Sequence, residues 1–203
     1  MVKAKAPRNK TLELSPKEIA LYASKAVKLS QKSNLTDVIN RVIRQDSFKA
    51  LDLLPDGCID LMIVDPPYNL TKNFGKSTFK EMDFDAYKKW LDKWLKKTVR
   101  LLKDNASIYI CADWKTSICI PEAAGKYFIL RNRISWEREK GRGAKDNWKN
   151  CLEDIWFFTK GKDYTFNIDA VKVQRPVIAP YRNEKGEPKD WQEKGKQRFR
   201  LTH

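Results

Sequence analysis

Asp65-Pro66-Pro67-Tyr68 closes the apolar run Ile59-Asp60-Leu61-Met62-Ile63-Val64, and this junction carries the residues best suited to chemistry. Two isoleucines and a valine, entered from the turn Pro55-Asp56-Gly57, predict a buried strand with Asp65 at its carboxyl end. In open α/β sheets ligands bind at that end, because the loops that follow the strands splay apart there. Two consecutive prolines fix two φ angles and remove two backbone donors, so the expected loop is stiff, with unpaired carbonyls pointing outward beside an aromatic ring. This set suits transfer of a group to an exocyclic amine, a poor nucleophile whose lone pair is delocalised into its ring. The Asp65 carboxylate and the Pro66 carbonyl can accept its two hydrogens and stabilise the positive charge that develops on the nitrogen. Tyr68 offers a face on which an extruded base can stack. A plain strand ending in an Asp-Pro turn would share the first two residues; strand, acid, double proline and aromatic together favour the chemical reading.

Asp65-Pro66-Pro67-Tyr68, followed by Asn69-Leu70, resembles the catalytic motif of the S-adenosylmethionine-dependent DNA amino-methyltransferases. The surroundings resemble the β-group, in which the catalytic motif precedes the cofactor's glycine-rich motif. The similarity runs over residues 40–203. It is supported by Arg44-Gln45-Asp46-Ser47, by Ser107-Ile108-Tyr109-Ile110-Cys111-Ala112-Asp113-Trp114, and by the stretch from Ile134-Ser135-Trp136-Glu137 to Thr159-Lys160. The resemblance implies an α/β fold with a Rossmann-like, mostly parallel methyltransferase sheet. It implies methyl transfer from S-adenosylmethionine to a flipped base in double-stranded DNA, as in restriction-modification, with Asp65, Pro66, Pro67 and Tyr68 as catalytic residues. Asp46, Ser47, Asp65 and His203 are the positions it assigns to the cofactor. Asp rather than Ser at position 65 leans towards adenine-N6 as the acceptor, with cytosine-N4 as the alternative.

One departure is sharp. No F-x-G-x-G occurs anywhere in the chain, Phe74-Gly75-Lys76 lies before rather than after the expected place, and the sequence given stops at Leu201-Thr202-His203. The expectation is therefore a sheet incomplete at the carboxyl end, with an apolar edge exposed. A second polypeptide, a homo-oligomer or a longer product would complete it. A non-catalytic DNA-binding or assembly subunit remains the reading from a different class.

Composition sets the bounds. A chain of 203 residues can bury one core, and 41 Lys+Arg against 26 Asp+Glu give a net charge of +15, which points to a polyanionic partner, nucleic acid first. A merely solvated surface is the alternative. Cysteines 58, 111, 119 and 151 form no C-x-x-C pair and the single histidine is the last residue, so no metal site is expected. The cysteines read as reduced core thiols of a cytoplasmic, nucleoid-associated protein. No apolar run approaches a membrane span.

Three segments follow. Residues 1–34 form a basic arm and a helical extension: Ser15-Pro16-Lys17-Glu18 predicts a capped helix reaching about Leu29. Residues 35–170 form the catalytic portion. Within it, residues 40–45 read as a short strand, and Asp46 fits a helix N-cap as well as a cofactor ligand. Residues 71–82 have the make-up of a mobile loop. Phe84, Tyr87, Trp90, Leu91, Trp94 and Leu95 recur at helical spacing as core rather than as a stacking platform. A strand at 106–111, a helix at 116–126 and strands at 128–136 and 152–158 follow. Residues 137–149 between the last two, with Arg142, Lys145, Trp148 and Lys149, read either as a loop on a nucleic-acid backbone or as an ordinary charged hairpin. In residues 171–203 the pattern dissolves; Arg175 and Arg182 belong either to a segment that reads a DNA groove or to an unfolded tail.

Overall fold

Ser15 accepts a hydrogen bond from the Glu18 amide while Glu18 accepts from the Ser15 amide, and this capping box opens helix α1 (Pro16–Lys25). The computed structural model describes residues 12–74, 77–142, 145–146, 148, 150–177, 181–194 and 197–202. They belong to two compact units, Met1–Tyr164 and Thr165–His203.

In the first unit α1 stops four residues short of the predicted end. Val27 instead forms a parallel bridge with Ile43, its carbonyl accepting from the Arg44 amide and its own amide donating to the Val42 carbonyl. A backbone engaged sideways cannot continue a helix. The strand expected over residues 40–45 is reduced to this bridge, because Asn40 has a left-handed φ of 55° that interrupts an extended run. α2 (Leu35–Val38) and α3 (Ser47–Leu53) follow, the latter capped by Asp46. β1 (Ile59–Val64) ends where predicted. Residues 71–82 are not a plain loop: β2 (Lys72–Phe74) and β3 (Ser77–Phe79) pair as an antiparallel hairpin, and Phe79 packs edge-on against Trp90.

Asp83 caps α4 (Phe84–Thr98), which continues into a 3₁₀ turn (Val99–Leu101) and then β4 (Leu102–Ala112). α5 (Cys119–Ala124) is shorter than expected, because residues 114–118 are turns organised by Asp113, which accepts from the Thr116 amide. Pro121 sits in its first turn, where an amide has no helical partner. β5 (Ile129–Arg142) and β6 (Asn150–Thr159) outrun the predicted strands, so residues 137–142, expected as loop, continue a strand.

The central sheet has the order β1-β4-β6-β5. β1 and β4 pair in parallel, and β6 is antiparallel to both β4 and β5. Three of the four strands thus run one way, the mostly parallel α/β sheet expected, with β1 on its edge. Tyr87, Leu91, Trp94 and Leu95 of α4 pack with Ile120 and Ala123 of α5 on Met62, Ile108, Ile110 and Phe158. The other face differs. Leu61 is 54% and Ile63 69% exposed on β1, and Ile134 and Trp136 are exposed on β5. The apolar edge anticipated from sequence is therefore present.

In the second unit α6 (Ile168–Val171) precedes β7 (Val173–Pro176), β8 (Gln192–Lys194) and β9 (Gln197–Thr202), which form an antiparallel sheet of order β7-β9-β8. The described residues of this segment are paired strands rather than irregular chain. One side chain explains why: Trp191 is buried, donates Nε1–H to the Tyr181 carbonyl at 2.8 Å, and has the guanidinium groups of Arg182 and Arg198 over its ring. No helix among the described residues is long and apolar enough to cross a membrane.

Leu91 is fully buried between α4 and the sheet. Leu91→Ala is expected to lower stability by about 2–5 kcal/mol through lost transfer energy and a residual cavity. Urea unfolding followed by tryptophan fluorescence measures it.

Candidate active site

β1 delivers Asp65 to the carboxyl edge of the sheet, one residue beyond the Val64↔Ile110 pair. From there the chain can no longer extend the ladder, since neither Pro66 nor Pro67 has an amide to give. Side chains hold it instead. The Tyr87 hydroxyl, from the first turns of α4, donates to the Pro67 carbonyl at 2.7 Å. Asn69, buried and in the left-handed region at φ 51°, donates Nδ2–H to the Met82 carbonyl at 2.7 Å and accepts the Met82 amide at 3.0 Å. Thr71 accepts the Glu81 amide. The loop is therefore stiff, as predicted, but its Pro67 carbonyl is engaged rather than outward and free. A buried acceptor beside a tyrosine is too costly to leave unsatisfied.

Asp65, Pro66, Pro67, Tyr68, Leu70 and Lys72 line a surface depression of about 480 Å³, a size suited to a small organic group. Asp65 is exposed, Pro66 is buried, and Tyr68 is half-buried. Burial raises the Tyr68 phenol far above its ordinary pKa, and the adjoining Asp65 carboxylate and the charge of Glu153 raise it further. Its neutral form, with an uncharged stacking face, therefore prevails wherever carboxylates are ionised. Cys111, which follows Ile110, the partner of Val64, on β4, is likewise pushed up, by burial first and then by Asp65 and Glu153. A larger depression lies between α4 and α5, where the carboxylates of its wall are paired with lysines, Asp85 and Glu122 with Lys88 and Asp92 with Lys126.

The remaining predicted positions distribute unevenly. Asp46 is the N-cap of α3, its Oδ1 accepting the Lys49 amide at 3.0 Å, and Ser47 is the first helical residue. Asp46 lines a depression of about 540 Å³ with Leu29, Arg44 and Leu53 that shares no residue with the one at Asp65. Lys145 and Trp148 are exposed beyond β5, and Arg175 and Arg182 are exposed in the second unit. Arg142 ends β5, its side chain outside the described residues, as are Lys149 and His203.

Three residues carry weight at the site that the sequence did not announce. Tyr87 reads as helical core, and nothing in its spacing marks the hydroxyl. Arg138 and Glu153 read as charges in a loop and a strand, whereas they form an ion pair of 2.6 Å, and the Glu153 charge acts on the Tyr68 phenol. Only the β5–β6 register brings them there.

Comparison with known proteins identifies the family. Residues 59–198 match the family N6_N4_Mtase, described as DNA methylase. The type II methyltransferase M.HpaI of Haemophilus parainfluenzae is 34% identical over 151 residues, 72% of this chain and 47% of that protein. The DNA adenine methyltransferase YhdJ of Escherichia coli strain K12 is 33% identical over 137 residues, 66% of this chain and 46% of that protein. The PvuII DNA methyltransferase, cytosine-N4-specific, shares the fold at a TM-score of 0.53 and 18% identity, over 72% of this chain and 56% of that one. The chain spans about half the length of the curated relatives it matches.

Tyr87→Phe is expected to cost about 0.5–1.5 kcal/mol of stability. It should also speed amide exchange at Tyr68–Leu70, read by hydrogen-exchange mass spectrometry, while exchange in α5 is unchanged.

Proposed function

We propose, on the premise that the chain belongs to the DNA methylase family matched over residues 59–198, that it carries the catalytic portion of a DNA adenine-N6 methyltransferase. The observation that carries this reading is Asp65, exposed at the carboxyl end of β1, in a depression shared with Tyr68 and the two prolines.

In this mechanism the exocyclic amine of a flipped base gives its hydrogens to the Asp65 carboxylate and the Pro66 carbonyl. The nitrogen lone pair is freed from the ring and aligned for in-line attack; the charge arriving on nitrogen is met by Asp65 and discharged when the methylated nitrogen gives up one of its two protons, leaving a neutral secondary amine. Tyr68 stacks on the base. Pro66 and Pro67 fix the acceptors, and Tyr87 and Asn69 fix the prolines. S-adenosylmethionine, when bound, supplies a methyl group on a cationic sulfur. Asp46 caps α3 with one carboxylate oxygen and lines a depression with Leu29, Gln45 and Leu53, where it would hold the adenosyl end, with Ser47 and Asp65 as further contacts. The open edge of β1, with Leu61 and Ile63 exposed, supports a further part of the fold that completes this site, from another polypeptide or a longer chain.

Double-stranded DNA is the partner that a net charge of +15 favours. Arg142, Lys145, Trp148, Lys149, Arg175 and Arg182 are its contacts in this reading, in a cytoplasmic, nucleoid-associated protein. Asp at position 65 and the likeness to an adenine methyltransferase support adenine over cytosine-N4, whose amine the same acceptors would fit.

Asp65→Ala is expected to lower methyl transfer to mixed-sequence duplex DNA by ~10²-fold or more, as loss of a transition-state acceptor does. It should leave DNA affinity within about twofold, since Asp65 contributes no phosphate contact. Transfer of labelled methyl in the complete assembly, beside a binding titration, reads both; full activity in the variant would sink the mechanism.

A further inference from the structure

β5 and β6 project past the rest of the sheet. Pairing of β1 with β4 ends at Val64↔Ile110 and that of β4 with β6 at Ala112↔Asp154, whereas β5 and β6 remain paired through Trp136↔Glu153, Glu137↔Leu152 and Arg142↔Asn150. Because side chains alternate, Glu153 stands on the face of Cys111 and Trp136, one step beyond the end of β4. Cys111 pairs with Ile155, two residues from Glu153 on the same face of β6, and it follows Ile110, the partner of Val64, at the carboxyl edge next to Asp65.

Two features set the Glu153 pair apart from an ordinary surface ion pair. The Glu153 side chain is only 15% exposed, and its Oε1 holds Arg138 Nη1 at 2.6 Å, while Arg138 itself is 41% exposed. Withdrawing a carboxylate from water to make one ion pair does little for stability, and an apolar residue at this strand position would serve the fold better. The arrangement fixes a half-exposed guanidinium on a carboxylate that lies beyond the carboxyl end of β4. A guanidinium held in this way is prepared for an anion, since its donors are ordered before the ligand arrives.

The anion follows from the spacing. Two ladder steps, roughly 10 Å, separate β1 from β6. A base extruded onto Tyr68 brings its own sugar and phosphate out to the mouth of the depression, on that scale from its amino group. We propose that Arg138, oriented by Glu153, binds the phosphate of the nucleotide whose base enters the Asp65–Tyr68 depression. The nucleotide is then held at both ends, by base acceptors at Asp65 and by phosphate donors at Arg138. The inference rests on reading that depression as a base site. Glu153 is a positioning residue here: it contacts Arg138, and its own charge disfavours a phosphate. Lys72, which lines the depression, adds positive charge on the other side.

The test uses the full 203-residue chain and two probes, 2′-deoxyadenosine 5′-monophosphate and 2′-deoxyadenosine, with affinities from ligand-observed NMR. The wild-type chain is expected to bind the nucleotide about tenfold more tightly than the nucleoside, the scale of charge-assisted hydrogen bonds. Inorganic phosphate should displace the nucleotide's advantage without displacing the nucleoside. In Arg138→Ala the two affinities should agree within about twofold, nucleoside binding being unchanged, and Arg138→Lys should restore part of the gap. Equal binding by the wild-type chain, or a gap that survives in Arg138→Ala, overturns the assignment of the phosphate while leaving the base site in place. Failure of either probe to bind, or nucleoside binding unaffected by Asp65→Ala, overturns the base site itself and the inference with it.

Discussion

The hydroxyl of Tyr87 on the carbonyl of Pro67 ties the one irregular loop that carries the chemistry to the helix that fills the core. The tie is needed because of what the prolines take away. A strand end is normally held by ladder bonds, and two successive residues without amides cannot make them. Both substitutes come from the start of α4: Tyr87 from within it, and Met82, clasped by Asn69, just before its cap at Asp83. Where α4 sits decides where Asp65 points. α4 is seated by Leu91, Trp94 and Leu95 packing over Ile108 and Ile110. Burial in the core therefore sets the geometry of an exposed carboxylate, through one hydrogen bond and one clasp.

The same packing explains the asymmetry of the sheet. α4 and α5 cover one face, and the other leaves Leu61, Ile63, Ile134 and Trp136 in solvent. Sheets built mainly of parallel strands are ordinarily apolar on both faces because both are covered. An edge strand whose outer side chains are leucine and isoleucine is poorly protected against stray pairing. β1 has the composition of an interior strand and the position of an edge strand. This mismatch supports a larger fold around Asp65 more directly than any motif does.

What was legible in the sequence was local. The strand before Asp65, the cap and period of α4, and the capping box of α1 follow from residue types within a few positions of each other, and the structure has all three. What was not legible depended on register or on a single anchor. A mobile loop was expected where Lys72–Phe74 pairs with Ser77–Phe79, because three-residue strands leave too little alternation to read. The sheet of the second unit was hidden in a run of lysine, arginine and glutamine, since its organising contact is one tryptophan under two arginines rather than a periodic apolar face. Asp46 was correctly seen as a cap, and capping uses one oxygen of the side chain that resemblance assigns to the cofactor. Glu153 carries no signal at all until β5 and β6 are placed side by side.

Those placements divide the charge of the site in a way the net figure conceals. The chain is strongly basic, yet the groups nearest Tyr68 are two carboxylates, Asp65 and Glu153, together with a thiol and a phenol that burial and those carboxylates keep neutral. The interior of the site is thus acidic and its surroundings cationic. A methyl transfer to an amine moves positive charge from sulfur to nitrogen, and a fixed negative group beside the path lowers the energy of that charge throughout the transfer. Under the proposed function a polyanionic substrate needs the reverse field, which the excess of lysine and arginine over the chain favours. A uniformly basic cleft would bind DNA well and oppose the chemistry, and a uniformly acidic one would repel the substrate. Glu153 is paired with Arg138, and Asp65 shares its depression with Lys72.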